Sequence, residues 1–407
     1  MTVECRTEEA APAVSSAALV FFALATGGFA IGVAEFAAMS LLPYFAPDLG
    51  VDEPTAGHII SAYALGVVVG APILAVFGAR FSRRRLLVAL MGFYAFSNGL
   101  SAVAPSYDLM LASRFLSGFP HGAYFGVAAL VAASIVPDNR RGAAVSLVML
   151  GLTVATLIGV PLATFVAQNF GWRTGFAIVA ALALLTAVLV FLFAPRDPAH
   201  PGASPVRELG ALARRQVWLT LGIGAIGFGG LFAVYTYLGS AMLDVTHAPP
   251  SAFPVVLAFL GLGMTVGNLG CARLADRALM PTAGGTLLFS AASCALYPFA
   301  LGSVWTLAPA VFLIGLVGGL GPVLQIRLMD VAGQGQTLAA ALHHSAFNLA
   351  NALGPWLGGL AISAGFGWAS TGWVGAGLAL AGFGVFLLAL LDARLSAARA
   401  GTELTRR

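Results

Sequence analysis

The stretch RFLSGFPHGAYFG, residues 114–126, lies inside an apolar run that covers residues 109–136. A run of this length can cross a bilayer as a single helix. A charged arginine and a titratable histidine are costly inside a membrane, so polar residues kept there are functional candidates by default. The stretch therefore predicts a membrane helix that carries part of a functional site.

The composition of the whole chain is that of a membrane protein. Its 407 residues are 59% hydrophobic and 9% charged, with a mean hydropathy of +0.93. Soluble domains are nearer 45–50% apolar and roughly 25% charged. The apolar segments are long and continuous rather than alternating, which favours helices over a closed β-barrel. We therefore predict an all-α integral membrane protein.

Twelve apolar segments are long enough to span a membrane, and short polar breaks separate them. They cover residues 17–43, 56–79, 86–104, 108–136, 143–167, 174–194, 217–241, 253–272, 282–302, 307–328, 337–362 and 371–391. The longest internal break is rich in proline and charge, which is typical of a linker between two halves. The predicted organisation is a tail at 1–16, a bundle at 17–195, a linker at 196–216, a second bundle at 217–392 and a tail at 393–407.

The placement of arginine predicts the orientation in the membrane. The chain has no lysine, and its arginines are spread over many short loops rather than one surface. If the N-terminus is cytoplasmic, the loops on the outer side contain only Arg173. The positive-inside rule then places both termini in the cytoplasm, which we expect to be that of a bacterium with this chain in its inner membrane. Nothing in this distribution indicates a nucleic-acid surface.

Three short matches relate the two halves of the chain. GARFSR at 78–83 matches ARLADR at 272–277, and FLSGFPHG at 115–122 matches FLIGLVGG at 312–319. NFGW at 169–172 matches GFGW at 365–368. Each match lies six predicted helices from its partner, as in transporters built from internal repeats. We predict two pseudo-symmetric six-helix bundles.

Together these features resemble the major facilitator superfamily. Within it the chain is similar to the drug/proton antiporter group, and most similar to its arabinose-efflux-permease-like (AraJ-type) members. The stretches GVAEFAAMSLLPYFAPDLGV, AGHIISAYALGVVVGAPILA and SRFLSGFPHGAYFGVAALV carry this resemblance. It implies alternating access around a central cavity, and it implies that Arg114 takes part in proton transfer.

The chain departs from the family pattern at two places. The loop motif G-x-x-x-D-R is present as Gly78, Ser82 and Arg83, with serine at the acidic position, whereas the second half keeps Asp276 and Arg277. We expect Gly78, Arg83, Asp276 and Arg277 to hold helix ends together and to release them as the halves rock. Contact of these arginines with anionic lipid is the alternative. The glycine-dense antiporter signature of the fifth helix is also reduced, to Gly151, Gly159 and Pro161.

Three polar residues of the first half are candidates for proton coupling. Glu35 is the one acidic residue well inside an apolar segment, where an apolar environment favours the neutral form of a carboxyl group. Arg114 lies about 9 Å and Glu35 about 12 Å below the outer boundary, at 1.5 Å per residue. We expect them to communicate directly or through water. His121 lies two turns beyond Arg114 on the same helix face. For each residue a purely structural hydrogen bond is the alternative.

The second half offers a polar stripe in place of a charged pair. His344, Asn348 and Asn351 follow an i, i+4, i+7 spacing near the start of the eleventh helix. We predict that they bind substrate together with Tyr235 of the seventh helix. Hydrogen bonds that hold helices together are the alternative for the stripe, and packing is the alternative for Tyr235.

The sequence contains no G-x-x-x-x-G-K-S/T motif, no nucleophile–base arrangement and no metal-ligand cluster. We therefore predict a monomeric secondary transporter rather than an enzyme, without cofactor or metal ion. Its partners are a small-molecule substrate, protons and membrane lipids. We favour proton-coupled efflux of a small organic solute, sugar-like or drug-like. Facilitated diffusion or proton symport of a sugar or nucleoside is one alternative, and lipid translocation is another.

Overall fold

The computed structural model describes residues 14–78, 81–137, 141–196, 209–333 and 336–404, and these residues form helices without a β-strand. The first half contains α1 (Val14–Ser40), α2 (Leu42–Asp48), α3 (Glu53–Gly78), α4 (Arg83–Ala102), α5 (Tyr107–Ser134), α6 (Arg141–Val154), α7 (Val160–Phe170) and α8 (Trp172–Phe193). The second half contains α9 (Arg215–Gly227), α10 (Gly229–Asp244), α11 (Ala252–Ala300), α12 (Val304–Leu316), α13 (Leu320–Ala332), α14 (Gln336–Ala361) and α15 (Ser370–Leu404).

The sequence placed a tail at 1–16 and a linker at 196–216, and most of both lies outside the described residues. The last helix continues to Leu404, beyond the predicted end of its membrane span at residue 391. A helix can continue in this way past the end of an apolar segment because its backbone hydrogen bonds are internal.

The described chain contains twelve segments that could each cross a membrane. Nine of its helical stretches are long and apolar enough to span a bilayer. One of these, α11, contains two crossings, because the backbone of Ala278 leaves the helical region with φ −155° and ψ 76°. The helices α4 and α14 supply the other two crossings and pack against α8 and α3. The predicted fold class, with two six-helix bundles, is confirmed.

Three spans that the hydropathy pattern predicts as continuous helices are interrupted. Ala155–Gly159 form a π turn before α7, where Pro161 lacks the N–H that an α-helix would use. Phe228 separates α9 from α10 between glycines, and Val317–Gly319 form a 3-10 turn after α12. Hydropathy reports the polarity of side chains, so it does not detect a missing backbone donor or a weak helix former such as glycine.

The two halves use the same glycine contact. A Cβ on Gly118 of α5 would lie 2.1 Å from the carbonyl oxygen of Tyr63 on α3. A Cβ on Gly315 of α12 would lie 2.4 Å from the carbonyl oxygen of Leu260 on α11. Only glycine permits such an approach of two backbones. The glycines of the two crossings recur at a constant spacing along the chain, as Gly66, Gly70, Gly118 and Gly122 and then as Gly263, Gly267, Gly315 and Gly319.

A second repeated contact involves the tryptophan of the NFGW and GFGW stretches. Trp172 donates its indole N–H to Asp48 at 2.8 Å, and Trp368 donates to Asp244 at 3.0 Å. In both pairs the partners are 124 residues apart along the chain. Trp172, together with Arg173, also holds the pKa of the Asp48 carboxyl below its ordinary value. The matched stretches therefore perform the same structural task in each half.

The two ends of the bundle differ in how the halves meet. We call the end where α3 meets α4 the arginine-rich face and the end where α10 meets α11 the opposite face. At the opposite face, Gln168 Nε2 of the first half donates to the carbonyl oxygen of Pro250 at 2.9 Å. Gly57 lies so close to the hydroxyl of Tyr237 that an added Cβ would be 2.2 Å away. These contacts close the opposite face.

Candidate functional site

Glu35 lies on α1, where the first half faces the second. Its side chain is buried, with 7% of the residue exposed. Its Oε1 accepts a hydrogen bond from Nδ2 of Asn351 on α14 at 2.9 Å. The sequence predicted proton coupling for Glu35 and substrate binding for Asn351, and the structure brings the two residues into one contact between the halves.

Arg114 is held entirely by groups of the first half. Its guanidinium donates to the carbonyl oxygen of Ala34 at 3.0 Å and to Oδ1 of Asn98 at 3.1 Å. It also lies 4.4 Å from the centre of the Tyr63 ring and 5.3 Å from that of Phe176, within the range of cation–π attraction. Carbonyl, amide and aromatic contacts explain how a fully buried cation is tolerated.

The structure describes the side chains of both Arg114 and Glu35, and no ion pair within 4.0 Å joins them. The guanidinium instead binds the carbonyl of Ala34, the residue that precedes Glu35. The guanidinium is thus bonded one residue away from Glu35 along α1, and the communication that the sequence predicts between the two side chains stays a prediction. Their connection runs through the backbone of α1, so the Glu35 carboxyl remains free to bind the other half.

His121 belongs to a buried chain of hydrogen bonds. Its Nδ1 lies 3.0 Å from the hydroxyl of Tyr63, which lies 3.1 Å from the hydroxyl of Tyr94. The Tyr63 ring also carries the guanidinium of Arg114 on its face. His121 and Arg114 therefore share one aromatic partner, as their common helix face predicts.

The predicted stripe on α14 splits between two neighbours in the first half. The ring of His344 stacks on Phe125 at 5.6 Å between centroids and lies 6.4 Å from His121. Asn351 binds Glu35, about two turns further along the helix. Asn348 lies between them and donates to the carbonyl oxygen of His344 at 3.0 Å. The stripe faces the first half along its length.

Tyr235 lies in an aromatic wall beside Glu35. Its ring stacks on Phe36 at 5.9 Å between centroids, and Phe232 stacks on the same ring at 6.3 Å. Phe228 continues the wall to Phe347 of α14 at 4.7 Å. The wall thus combines residues of both halves, and it gives the centre of the protein planar apolar surfaces next to one carboxyl group.

Several buried oxygens of α14 have no hydrogen-bond partner among the described residues. They are Oγ of Ser345, Oδ1 of Asn348 and Oδ1 of Asn351. Buried polar atoms are normally paired, so unpaired ones require a ligand, a proton donor or a change of state. Their i, i+3, i+6 spacing places them on one face of the helix.

The predicted gating residues lie at helix ends on the arginine-rich face. Gly78 ends α3, and Ser82 caps α4 by accepting the backbone N–H of Arg85 at 3.4 Å. A serine can thus supply the N-cap that the acidic residue of the family motif would supply. Asp276 and Arg277 lie exposed just before the break at Ala278.

Sequence reasoning gave too little weight to the partners of Arg114. Asn98, Tyr63 and Tyr94 are buried inside α3 and α4, and they form the hydrogen-bonded surroundings of the guanidinium and of His121. The available signal was the polarity of Asn98 inside an apolar span. Tyrosine gives no such signal, because its ring resembles any other apolar side chain in a hydropathy profile.

Comparison with known proteins agrees with this architecture. The family described as Major Facilitator Superfamily matches residues 24–337. The inner membrane transport protein YdhP of Escherichia coli (strain K12) is 38% identical over 376 residues, which cover 91% of this chain and 95% of YdhP. The putative transporter AraJ of the same organism is 34% identical, with 85% and 88% covered. A chloramphenicol resistance protein of Streptomyces lividans is 31% identical, with 83% and 87% covered.

These relatives include an inner membrane transport protein and a putative transporter, so the sequence-based resemblance to the major facilitator superfamily and the exclusion of an enzyme are both confirmed. The match to the family model extends into both halves. It includes α5, which carries Arg114, the part of α1 that carries Glu35, and α13. The chain is a multi-pass membrane transporter that belongs to the major facilitator superfamily.

Proposed function

We propose that this transporter exports a small organic solute, sugar-like or drug-like, in exchange for protons. The names of its relatives support export: one is a chloramphenicol resistance protein and another a probable sugar efflux transporter. In this proposal the two halves rock about a central site near the midplane, and each face opens in turn.

One observation carries the proposal: the Glu35 carboxyl is buried at the interface between the halves and bound by Asn351 of the other half. An ionised carboxylate in such a place is costly, whereas a protonated one is not. Loading a proton on Glu35 therefore changes the free energy of the contact between the halves. A contact whose free energy depends on a bound proton is what coupling of proton binding to rocking requires.

We assign supporting roles to the neighbouring side chains. Arg114 positions Glu35 through the carbonyl of Ala34, and its positive charge favours release of the proton when water reaches the site. His121 assists through Tyr63. Tyr235, His344, Asn348 and Asn351 form the substrate surface, in which an aromatic wall and amide groups suit a solute with a planar face and hydrogen-bonding groups.

We further propose that the arginine-rich face is cytoplasmic, so that both termini lie inside the cell and the closed opposite face is the outer one. Gly78, Arg83, Asp276 and Arg277 then lie at the inner ends of their helices. They would hold the inner face closed in the alternate conformation. A monomer suffices for this cycle, because both halves of the site belong to one chain.

The test is transport into everted membrane vesicles with an acid interior, using labelled chloramphenicol and a labelled pentose as probes. We expect gradient-driven uptake of at least one probe, and we expect Glu35→Gln to abolish that uptake while leaving substrate counterflow intact. Asp108→Asn is the matched control, since Asp108 is exposed in the first turn of α5. Undiminished gradient-driven uptake by Glu35→Gln would remove this residue from the mechanism.

The same vesicles separate export from its alternatives. Facilitated diffusion predicts counterflow without any response to the gradient, and proton symport predicts a response of the opposite sign. Translocation of lipid predicts movement of a fluorescent phospholipid between the leaflets in liposomes that contain the purified protein.

A further inference from the structure

We propose that Asn351 is the residue through which the second half detects the protonation state of Glu35. In the conformation with the opposite face closed, Asn351 and a protonated Glu35 form a two-hydrogen-bond latch between α14 and α1. This inference rests on the proposed proton coupling. It adds a partner residue and a structural device to that function.

The first step is the geometry of the contact. Nδ2 of Asn351 already donates to Oε1 of Glu35 at 2.9 Å, while Oδ1 of Asn351 is buried without a partner. Asn351 is fully buried, so bulk solvent does not reach its Oδ1. A carboxylic acid has one O–H donor and one carbonyl acceptor, and a primary amide offers the complementary pair. A protonated Glu35 can therefore satisfy both polar atoms of the Asn351 side chain.

The second step is that no other group neutralises the carboxyl. The Arg114 guanidinium is taken up by Ala34, Asn98 and the Tyr63 ring, and it makes no ion pair with Glu35. An ionised Glu35 in this place would be a buried charge with a single amide donor, and Oδ1 of Asn351 would stay unpaired. Both costs disappear when the proton is bound.

The third step is the position of the contact between the halves. α1 belongs to the first half and α14 to the second, so the latch resists opening of the opposite face. Loss of the proton removes one of its two hydrogen bonds and leaves an ionised group in an apolar interface. The closed conformation then weakens, and the halves can separate at that face.

Other titratable groups near Glu35 must be distinguished from it. From the helices packed against α1, Arg114, Tyr63, Tyr94 and Tyr235 face the carboxyl. Tyrosine and arginine keep their protons across the physiological range. The histidines on α14 and α5 form a separate cluster, in which His344 stacks against Phe125.

The experiment measures closure of the opposite face by the distance between two spin labels. Asn169 at the end of α7 and Ser251 before α11 are exposed and lie on different halves at that face. Labels are attached there in purified full-length protein whose three native cysteines are replaced by alanine. Glu35→Gln mimics the protonated acid, because two amides can also form two hydrogen bonds. Position 35 then no longer titrates, so any pH response left in this variant comes from other groups such as the histidines.

We expect the wild type to close on acidification and Glu35→Gln to stay closed at every pH. Asn351→Leu should lower the closed-to-open ratio at acid pH by about 5-fold to 30-fold, the loss expected for two net hydrogen bonds. It should also open Glu35→Gln in the double variant. Thr220→Val, which removes a buried hydroxyl that bonds its own helix in the second half, is the control and should respond to pH as the wild type does.

Two outcomes would overturn the proposal in different ways. If Asn351→Leu closes with acid as the wild type does while Glu35→Gln is insensitive to pH, Glu35 couples protons but Asn351 does not detect it. If Glu35→Gln responds to pH as fully as the wild type, the proposed proton coupling through Glu35 fails as well.

Discussion

The contact between α3 and α5 should be intolerant of a single added methyl group on Gly118. A Cβ at this position would lie 2.1 Å from the carbonyl oxygen of Tyr63 and 2.8 Å from the backbone nitrogen of Val67. Both atoms belong to the backbone of α3 and cannot move aside as a side chain would. To restore ordinary contact the two helices must separate by about 1 Å, which a close-packed interior resists.

The expected cost of Gly118→Ala is about 1–3 kcal/mol of folding free energy, the usual range for overpacking. The matched control is Gly126→Ala on the same helix, where an added Cβ meets nothing within 4 Å. There alanine should stabilise the helix by up to about 1 kcal/mol, because it is the better helix former. The two variants thus differ in sign although the chemical change is identical.

The assay is the thermal denaturation of purified protein in detergent, followed by the loss of the monodisperse peak in size-exclusion chromatography. Gly118→Ala should denature at a lower temperature than the wild type, and Gly126→Ala at the same or a higher one. Gly315→Ala tests the repeat, since it should resemble Gly118→Ala. Equal midpoints for Gly118→Ala and Gly126→Ala would refute the claim that direct backbone contact joins α3 to α5.

Three further substitutions test the site and the repeat. Arg114→Lys should destabilise the protein by about 1–3 kcal/mol and reduce transport, because one ammonium group cannot reproduce the planar donors that bind Ala34 and Asn98 together. Thermal denaturation measures the first effect and vesicle transport the second. Wild-type values in both assays would contradict this account. Trp172→Phe and Trp368→Phe should each lower the free energy of unfolding by about 0.5–3 kcal/mol, because each removes one hydrogen bond to a carboxylate. The two losses of stability should add in the double variant, because the two bonds lie in different halves. A loss of stability in only one of the two single variants would refute their structural equivalence.

Much of the fold could be predicted from the sequence because its strongest signals are physical requirements of the membrane. A span must be apolar and about 20 residues long, so the twelve segments are visible by hydropathy alone. The repeat was visible through FLSGFPHG and FLIGLVGG because their glycines occupy the crossing points of paired helices. The breaks at Phe228 and at Val317–Gly319 were not visible, since they depend on backbone geometry that hydropathy does not report.

The site could be predicted only in part, for a different reason. A charged side chain in an apolar span is conspicuous, so Glu35 and Arg114 were identified and their similar depth was inferred. Which groups they contact depends on helix rotation and on residues from other helices. The contact of Glu35 with Asn351 joins positions that are 316 residues apart, and no local pattern specifies it.

The repeat also shows that the helix contacts that support the fold are symmetric between the halves, whereas the charged residues of the candidate site are not. The register set by the paired glycines places Val311 of α12 at the position of Arg114 in α5. The segment that corresponds to α1 has no charged residue between Arg215 and Asp244. The glycine crossings and the tryptophan–aspartate bonds are thus kept in both halves, whereas the buried charged side chains among the described residues, Glu35 and Arg114, both lie in the first half. A rocking transporter needs equivalent scaffolds on both sides, because each face must close in turn. In the mechanism that we propose, a single carboxyl that detects one proton needs only one copy, and its partner in the other half needs only a neutral amide.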